Sequence, residues 1–207
     1  MNLAPLTSRI LALSVVSLIT ASASASVFTL TFEGLGNTAA VGSFYNGGAG
    51  GSYGVEFVDA RALIAGSAGG TGNFTNAPSM PTIMFFPSAS SAVMNVAAGF
   101  ESGFSTYYTS VSNSGSVSLY SELNGTGTVL ATLYLSALGT DNTPNATFDR
   151  WALVGATFVG TAKSVVFSGD PDQFGFDNVT FGSSVPAPGA LALLGAVGLV
   201  GSRRRRA

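Results

Sequence analysis

Carboxylates are the side chains through which this protein could carry out acid–base chemistry. The 207 residues include ten Asp and Glu but no His and no Cys. The Ser-His-Asp and Cys-His arrangements and the Cys/His zinc sites are therefore excluded, because each needs a residue type that the chain lacks. Two enzyme chemistries stay open: a pair of carboxylates, as in glycoside hydrolysis, and a Ser–Lys pair built on Lys163, the single lysine.

A carboxylate pair would need structural elements that bring two acids together in one open cleft, roughly 5 to 9.5 Å apart. Seven acids fall in or beside segments that read as strands: Glu33, Glu56, Asp59, Glu101, Glu122, Asp149 and Asp177. Their spacing along the chain does not single out two of them. We therefore expect a protein without catalytic activity, structural or associated with glycans. The alternatives are a carbohydrate-binding module and a two-carboxylate glycan-active enzyme.

Short strands are the elements that must position these groups. In the segment SVFTLTFE, Phe28, Leu30 and Phe32 share one face. The segment GTVLATLYL places four apolar residues on one face: Val129, Ala131, Leu133 and Leu135. Seven more segments read as strands: GVEFV, TIMFF, SAVMNV, GFSTYY, SVSLY, WALVGATFV and KSVVFSG. This period of two predicts an all-β domain, a single antiparallel β-sandwich of jelly-roll type with roughly eight to ten strands.

Two Gly-rich segments punctuate the strands. The segment Asn124-Gly125-Thr126-Gly127 predicts a hairpin loop, because Asn-Gly pairs adopt the backbone angles of tight turns. The segment from Gly47 to Gly54 is interpreted as a long loop within the domain.

The N-terminal segment is predicted to be a secretory signal peptide over residues 1–25. Arg9 precedes an apolar run from Ile10 to Ile19, and small residues follow it. Ala23 and Ala25 fit the small-x-small pattern that signal peptidase requires, so cleavage after Ala25 is expected. The run is too short to span a bilayer of roughly 30 Å. The protein is therefore expected to be exported.

The expected exported body, residues 26–184, is acidic. It holds three basic residues, Arg61, Arg150 and Lys163, against ten acidic ones, a net charge of −7. Such a surface does not bind nucleic acid, because binding needs Lys and Arg that displace the counterions of the phosphates. Without Cys, no disulfide can hold the body, which must rely on its own core or on a metal ion.

The C-terminal tail, residues 185–207, has three parts in a set order. It begins with Val185, Pro186, Pro188 and Gly189, continues with an apolar run to Gly201, and ends with Arg203, Arg204, Arg205 and Arg206. The run predicts a short membrane helix, with the arginines on the cytoplasmic side. On physical grounds alone an ordinary C-terminal anchor fits equally well.

In its order and terminal position the tail resembles the PEP-CTERM sorting signal, with Pro186-Ala187-Pro188 where the family usually has Pro-Glu-Pro. The resemblance implies recognition by an exosortase, an integral-membrane cysteine transpeptidase, and removal of the tail. The body would then pass from a transient inner-membrane intermediate to the cell envelope or extracellular matrix.

The body also resembles jelly-roll sugar-binding modules at its two ends. TFEGLG near its start and FGFDNVTF near its end are similar to the first and last strands of such modules. The resemblance implies a structural calcium ion held by Glu33 and Asp177 together with backbone carbonyls. A change of parity in the last segment predicts a β-bulge at Asp177-Asn178. The alternative is that Asp177 and Asn178 make only a turn or capping contact.

Binding of an extracellular polysaccharide would require exposed aromatic platforms. Six aromatic residues are candidates: Tyr45, Tyr53, Tyr107, Tyr108, Tyr134 and Trp151. Core packing would explain such residues equally well, and their spacing selects none of them.

Overall fold

In the computed structural model, which describes residues 27–101 and 103–182, thirteen strands form two antiparallel sheets and a small ribbon. The predicted antiparallel β-sandwich of jelly-roll type is confirmed. The predicted signal peptide and C-terminal helix lie outside the described residues. Within those residues, no helix has the length and apolar character needed to cross a membrane.

The first sheet has five strands in one path and a sixth beside it. In spatial order the path is β11 (Ala152–Ala156), β8 (Phe104–Thr109), β13 (Gly175–Phe181), β6 (Thr82–Phe85) and β5 (Arg61–Ile64). The additional strand, β1 (Phe28–Leu30), pairs with the end of β13.

The second sheet has five strands. Their spatial order is β10 (Val129–Leu135), β9 (Gly115–Tyr120), β12 (Thr161–Ser168), β7 (Ser91–Glu101) and β4 (Val55–Val58). The small ribbon consists of β2 (Asn46–Gly48) and β3 (Gly51–Ser52). It replaces the long loop predicted for residues 47–54.

The core lies between the two sheets and is rich in aromatic rings. Phe167 of the second sheet packs edge-on against Phe176 of the first, with ring centroids 4.9 Å apart. Both side chains are completely buried. A second, smaller apolar cluster, separate from this core, includes Phe74, Ile83 and Trp151. The main core therefore holds the sandwich together by apolar burial, which suits a chain without disulfides.

Most of the predicted alternation is present. Leu30 and Phe32 are fully buried, as expected. The Asn124–Gly127 segment connects the paired strands β9 and β10, which confirms the hairpin loop. The prediction was wrong for Val129, whose side chain is 50% exposed, because the β9–β10 register shifts between Val129 and Ala131. Strand β5 was not predicted from the sequence.

Candidate functional sites

The predicted β-bulge at Asp177-Asn178 is confirmed, and it lies where β13 changes partners. Phe176 pairs with Met84 of β6, whereas Val179 pairs with Leu30 of β1. On the other side of β13, the register with β8 shifts between Asp177 and Thr180. Glu33 lies three residues after the end of β1. The first and last strands therefore lie side by side, as a site shared by Glu33 and Asp177 requires.

One segment, residues 79–82, contacts both carboxylates. Ser79 donates its backbone N–H to Asp177 Oδ2 at 2.6 Å and its hydroxyl to Oδ1 at 2.6 Å. Thr82 donates its backbone N–H to Glu33 Oε1 at 2.9 Å. The backbone N–H of Asn178 adds a third bond to Asp177, at 2.7 Å. The capping contact left open for Asp177 is thus present.

The surroundings of Asp177 disfavour its ionised form. Its side chain is fully buried, and this burial raises the pKa of the carboxyl to about 6, even though the bonds from Ser79 act in the opposite direction. The charge of Glu33 contributes to the increase. Burial likewise raises the pKa of Tyr45 to about 12, and its hydroxyl accepts the Phe32 N–H at 2.7 Å.

The side chains around the bulge fit calcium in chemical type. Calcium binds carboxylate and amide oxygens. The site supplies Glu33, Asp177 and the buried Oδ1 of Asn178, which accepts no hydrogen bond from the described residues. Within those residues, no group of three or more acidic, His or Cys side chains surrounds a common point. A calcium ion here would need backbone carbonyls as further ligands, as the resemblance implies.

The other acids mostly form local structural contacts. Asp149 accepts the backbone N–H groups of Asp141 and Thr143, and these bonds hold its pKa well below the usual range. Lys163 donates to Glu122 at 3.0 Å, which engages the one lysine that Ser–Lys chemistry would require. Three further acids bond to neutral side chains: Glu56 to Asn46, Glu101 to Thr161 and Asp170 to Asn113.

Exposure separates the aromatic candidates. Tyr45 and Tyr108 are buried in the core. Trp151 donates its indole N–H to the carbonyl of Thr75 at 2.9 Å. Tyr134 is 83% exposed, against 40% for Tyr53. Tyr134 therefore has the most exposed ring among the six candidates, which sequence spacing could not show.

Tyr134 lies at one end of a row of hydroxyl groups on the outer face of the second sheet. Register partners share a face, and Tyr134 pairs with Ser116, Ser116 with Ser168, and Ser168 with Ser91. Four strands at about 4.8 Å spacing give this row a length of roughly 14 Å. A parallel row begins with Thr132 and Ser118, whose hydroxyls are 3.1 Å apart. We call these six residues the hydroxyl face: Ser91, Ser116, Ser118, Thr132, Tyr134 and Ser168.

The loop between β9 and β10 folds over the next row of the second sheet. Asn124 and Asn95 exchange two hydrogen bonds of 2.8 Å, and Gly125 donates its N–H to Ser164 Oγ at 2.9 Å. These bonds fix the loop beside the hydroxyl face. The sequence shows which strand residues alternate with the apolar ones, but it does not show that strands separated by more than thirty residues lie next to one another.

The remaining predicted site residues have no described position. Ala23 and Ala25 of the signal peptide lie outside the described residues, as does the whole predicted sorting motif. Export, tail recognition and processing stay predictions from the sequence.

No protein-family model matches the chain, and no curated protein matches it. Among solved structures, a family 6 carbohydrate-binding module is 18% identical, with a TM-score of 0.40, covering 77% of this chain and 94% of its own. The K1 cleaved adhesin domain of Lys-gingipain from Porphyromonas gingivalis is 12% identical, with a TM-score of 0.49, covering 77% and 99%. A carbohydrate-binding module from Clostridium stercorarium in complex with cellobiose is 15% identical, with a TM-score of 0.40, covering 76% and 94%.

Proposed function

We propose that this is an exported, non-catalytic protein of the cell envelope or extracellular matrix that contacts polysaccharide through its hydroxyl face. The observation that carries the proposal is the position of Tyr134. Its ring is 83% exposed, and it stands in register with a row of serine hydroxyls. A sugar ring has apolar faces that stack on an aromatic ring and hydroxyl groups that bond to serine and threonine.

The charge of the protein supports a neutral glycan over an acidic one. The body carries a net charge of −7, so it repels polyanions at long range. The six residues of the hydroxyl face are all uncharged. A neutral polysaccharide therefore fits both the face and its surroundings.

The distribution of acids supports a non-catalytic role. In three surface pockets of the described residues, one lining holds no acid, and the other two hold Asp172 and Asp59 respectively. None of the three brings two carboxylates together, as glycoside hydrolysis would need. Residues 79–82 donate hydrogen bonds to the carboxylates of both Glu33 and Asp177, and Asp177 is buried.

The route to the envelope is part of the proposal. Signal peptidase would cut after Ala25, and an exosortase would recognise the tail from Val185 and remove it. Until then the tail would hold the protein in the inner membrane, with Arg203 to Arg206 on the cytoplasmic side. The order of these segments in the sequence supports this route.

Calcium at Glu33 and Asp177 is proposed as a structural ion that ties the ends of the body together. The support is the pairing of β1 with β13, the buried carboxylate of Asp177 and the Asn178 Oδ1, which has no partner among the described residues.

Co-sedimentation with insoluble neutral polysaccharides tests the glycan proposal. The exported protein should bind, Tyr134→Ala should bind about tenfold more weakly, and Tyr134→Phe should keep most of the affinity because its ring remains. Leu153→Ala is the matched control, since Leu153 is 57% exposed but lies on the first sheet. Equal binding by the parent and Tyr134→Ala would show that the hydroxyl face is not the contact surface.

A further inference from the structure

The two sides of the β-sandwich differ in how their edge strands are closed. On one side the chain bonds to the outer edges of β4 and β5: Phe57 donates its backbone N–H to the Gly42 carbonyl at 2.9 Å, and Ala62 donates to the Ala39 carbonyl at 2.8 Å. On the other side the edge strands are β10 and β11, which are neighbours across the sandwich. No backbone hydrogen bond from the described residues reaches the outer edge of β10 or β11. These two strands therefore present N–H and C=O groups that another strand could pair with.

The core is also less completely covered on this side. Val55 of β4 and Ala62 of β5 are fully buried. Leu133 of β10 and Val154 of β11 pack against the same core but stay half-buried. Apolar side chains of the core thus remain in contact with water between β10 and β11.

Exposed apolar side chains are concentrated around these two strands. Within residues 27–101 and 103–182, the four most exposed large apolar side chains are Tyr134 and Val129 of β10, Leu153 of β11 and Val159 in the loop that follows. Val159 is 94% exposed. We call residues 129–135 and 151–160 the open side. Apolar side chains clustered in this way mark a surface that contacts a partner.

The open side is uncharged, although the body as a whole carries a net charge of −7. No Asp, Glu, Lys, Arg or Pro occurs in residues 123–140 or in residues 151–162. Exposed edge strands usually carry such residues, which prevent pairing with other chains. Two acidic copies of the protein repel each other over most of their surfaces, but they can approach with the open sides facing.

We propose that the open side is the interface of a homodimer, in which β10 pairs antiparallel with β10 of a second copy. A two-fold axis makes the edge of one strand complementary to itself, because antiparallel strands exchange N–H and C=O groups. Exposed apolar side chains of β11 and its following loop complete the contact. The dimer does not depend on glycan binding, but it would join the hydroxyl faces of two copies into one surface.

The size of the open side suits a reversible dimer. It consists of the seven residues of β10 and the ten residues from 151 to 160. Each partner in a stable interface contributes roughly 20 to 30 residues, so this one lies just below that range. Sedimentation velocity of the exported protein should therefore show a monomer–dimer equilibrium in the micromolar range. Added salt should strengthen the dimer, because it screens the repulsion between two acidic bodies.

Val129 and Val58 provide a matched pair of variants. Both lie on edge strands of the second sheet, and they are 50% and 47% exposed, but the edge of β4 that carries Val58 is closed. Val129→Glu should weaken the dimer by about tenfold or more, because it places a charge within the contact. Val58→Glu should leave the dimer unchanged. Val159→Glu should also weaken the dimer, and its almost fully exposed side chain makes a folding defect an inadequate explanation.

Hydrogen exchange tests whether β10 forms the contact. Amides of β10 should exchange more slowly as the protein concentration rises, whereas those of β4 should not change. A monomer at every concentration, or equal weakening by Val129→Glu and Val58→Glu, would overturn the proposal. Full protection of β10 already in the monomer would also overturn it, since another segment of the same chain would then cover the edge.

Discussion

Ser79 holds the carboxylate of Asp177 with two hydrogen bonds, one from its backbone N–H and one from its hydroxyl, both 2.6 Å long. The two residues are 98 positions apart in the chain. This contact fixes the loop before β6 against the bulge of β13, at the point where β13 passes from one partner strand to another. It also explains how a fully buried carboxylate is accommodated, since the Asn178 N–H supplies a third bond.

Asp177 should make the stability of the protein depend on both pH and calcium. Its pKa in the folded protein is about 6, above the usual value near 3.8, so the folded state binds the additional proton. When a chelator keeps metal away from Asp177, its protonation stabilises the folded state most strongly below pH 4. This stabilisation is lost as the pH rises through 6. The melting temperature should therefore fall between pH 5 and pH 7. Asp149, whose pKa is lowered, makes stability depend on pH only at more acidic pH.

Bound calcium should reverse this trend, because protons compete with the ion for the same carboxylates. With calcium in excess, the melting temperature should be higher at pH 7 than at pH 5, and Asp177→Ala should remove the effect of the ion. A hundredfold excess over the dissociation constant would stabilise by about 2.7 kcal/mol. If calcium changes the melting temperature at neither pH, the capping contact with Ser79 is the whole role of Asp177.

Two buried threonines on β8 should respond oppositely to the same substitution. Thr106 donates its hydroxyl to the Asp177 carbonyl at 3.2 Å, whereas the Thr109 hydroxyl has no partner among the described residues. Thr106→Val should therefore lower the free energy of unfolding by about 1 kcal/mol, and Thr109→Val should raise it by a similar amount. Urea denaturation of both variants measures the difference. Equal destabilisation by the two would contradict the assignment of Thr109 as unpaired.

Gly125 should be more sensitive to substitution than another glycine with the same backbone angle. Gly125 and Gly54 have φ values of +67° and +68°. A Cβ at Gly125 would lie 2.6 Å from Val166 Cγ2, whereas one at Gly54 would meet nothing within 4 Å. Both Ala variants share the cost of a left-handed residue, about 1 kcal/mol. Gly125→Ala should therefore unfold at a lower urea concentration than Gly54→Ala, because it must also displace the loop from the second sheet.

Processing at both ends should be visible in the mass of the mature protein. Protein recovered from the envelope or the medium should begin at Ser26 and lack Arg203 to Arg206. Intact-mass measurement gives both ends at once. A complete C-terminus on protein recovered outside the cell would contradict sorting by an exosortase and would favour a plain C-terminal anchor.

Several features of the protein could be read from the sequence because they are local or compositional. Alternation places Leu30 on a buried face, since successive side chains of a strand point to opposite sides. The change of parity around Asp177 and Asn178 marks the bulge for the same reason. The absence of His and Cys excludes whole classes of catalytic and metal sites whatever the fold.

Only the tertiary structure decided which of these residues meet. The row from Tyr134 to Ser91 crosses four strands, and their order depends on how two sheets bury a common core rather than on any local preference. The Thr109 hydroxyl has no partner among the described residues, and the side chains packed near it come from five separate segments of the chain. Ser79 reaches Asp177 only once the chain between them has folded. Such contacts result from the packing of the whole domain, which is why spacing along the chain could not reveal them.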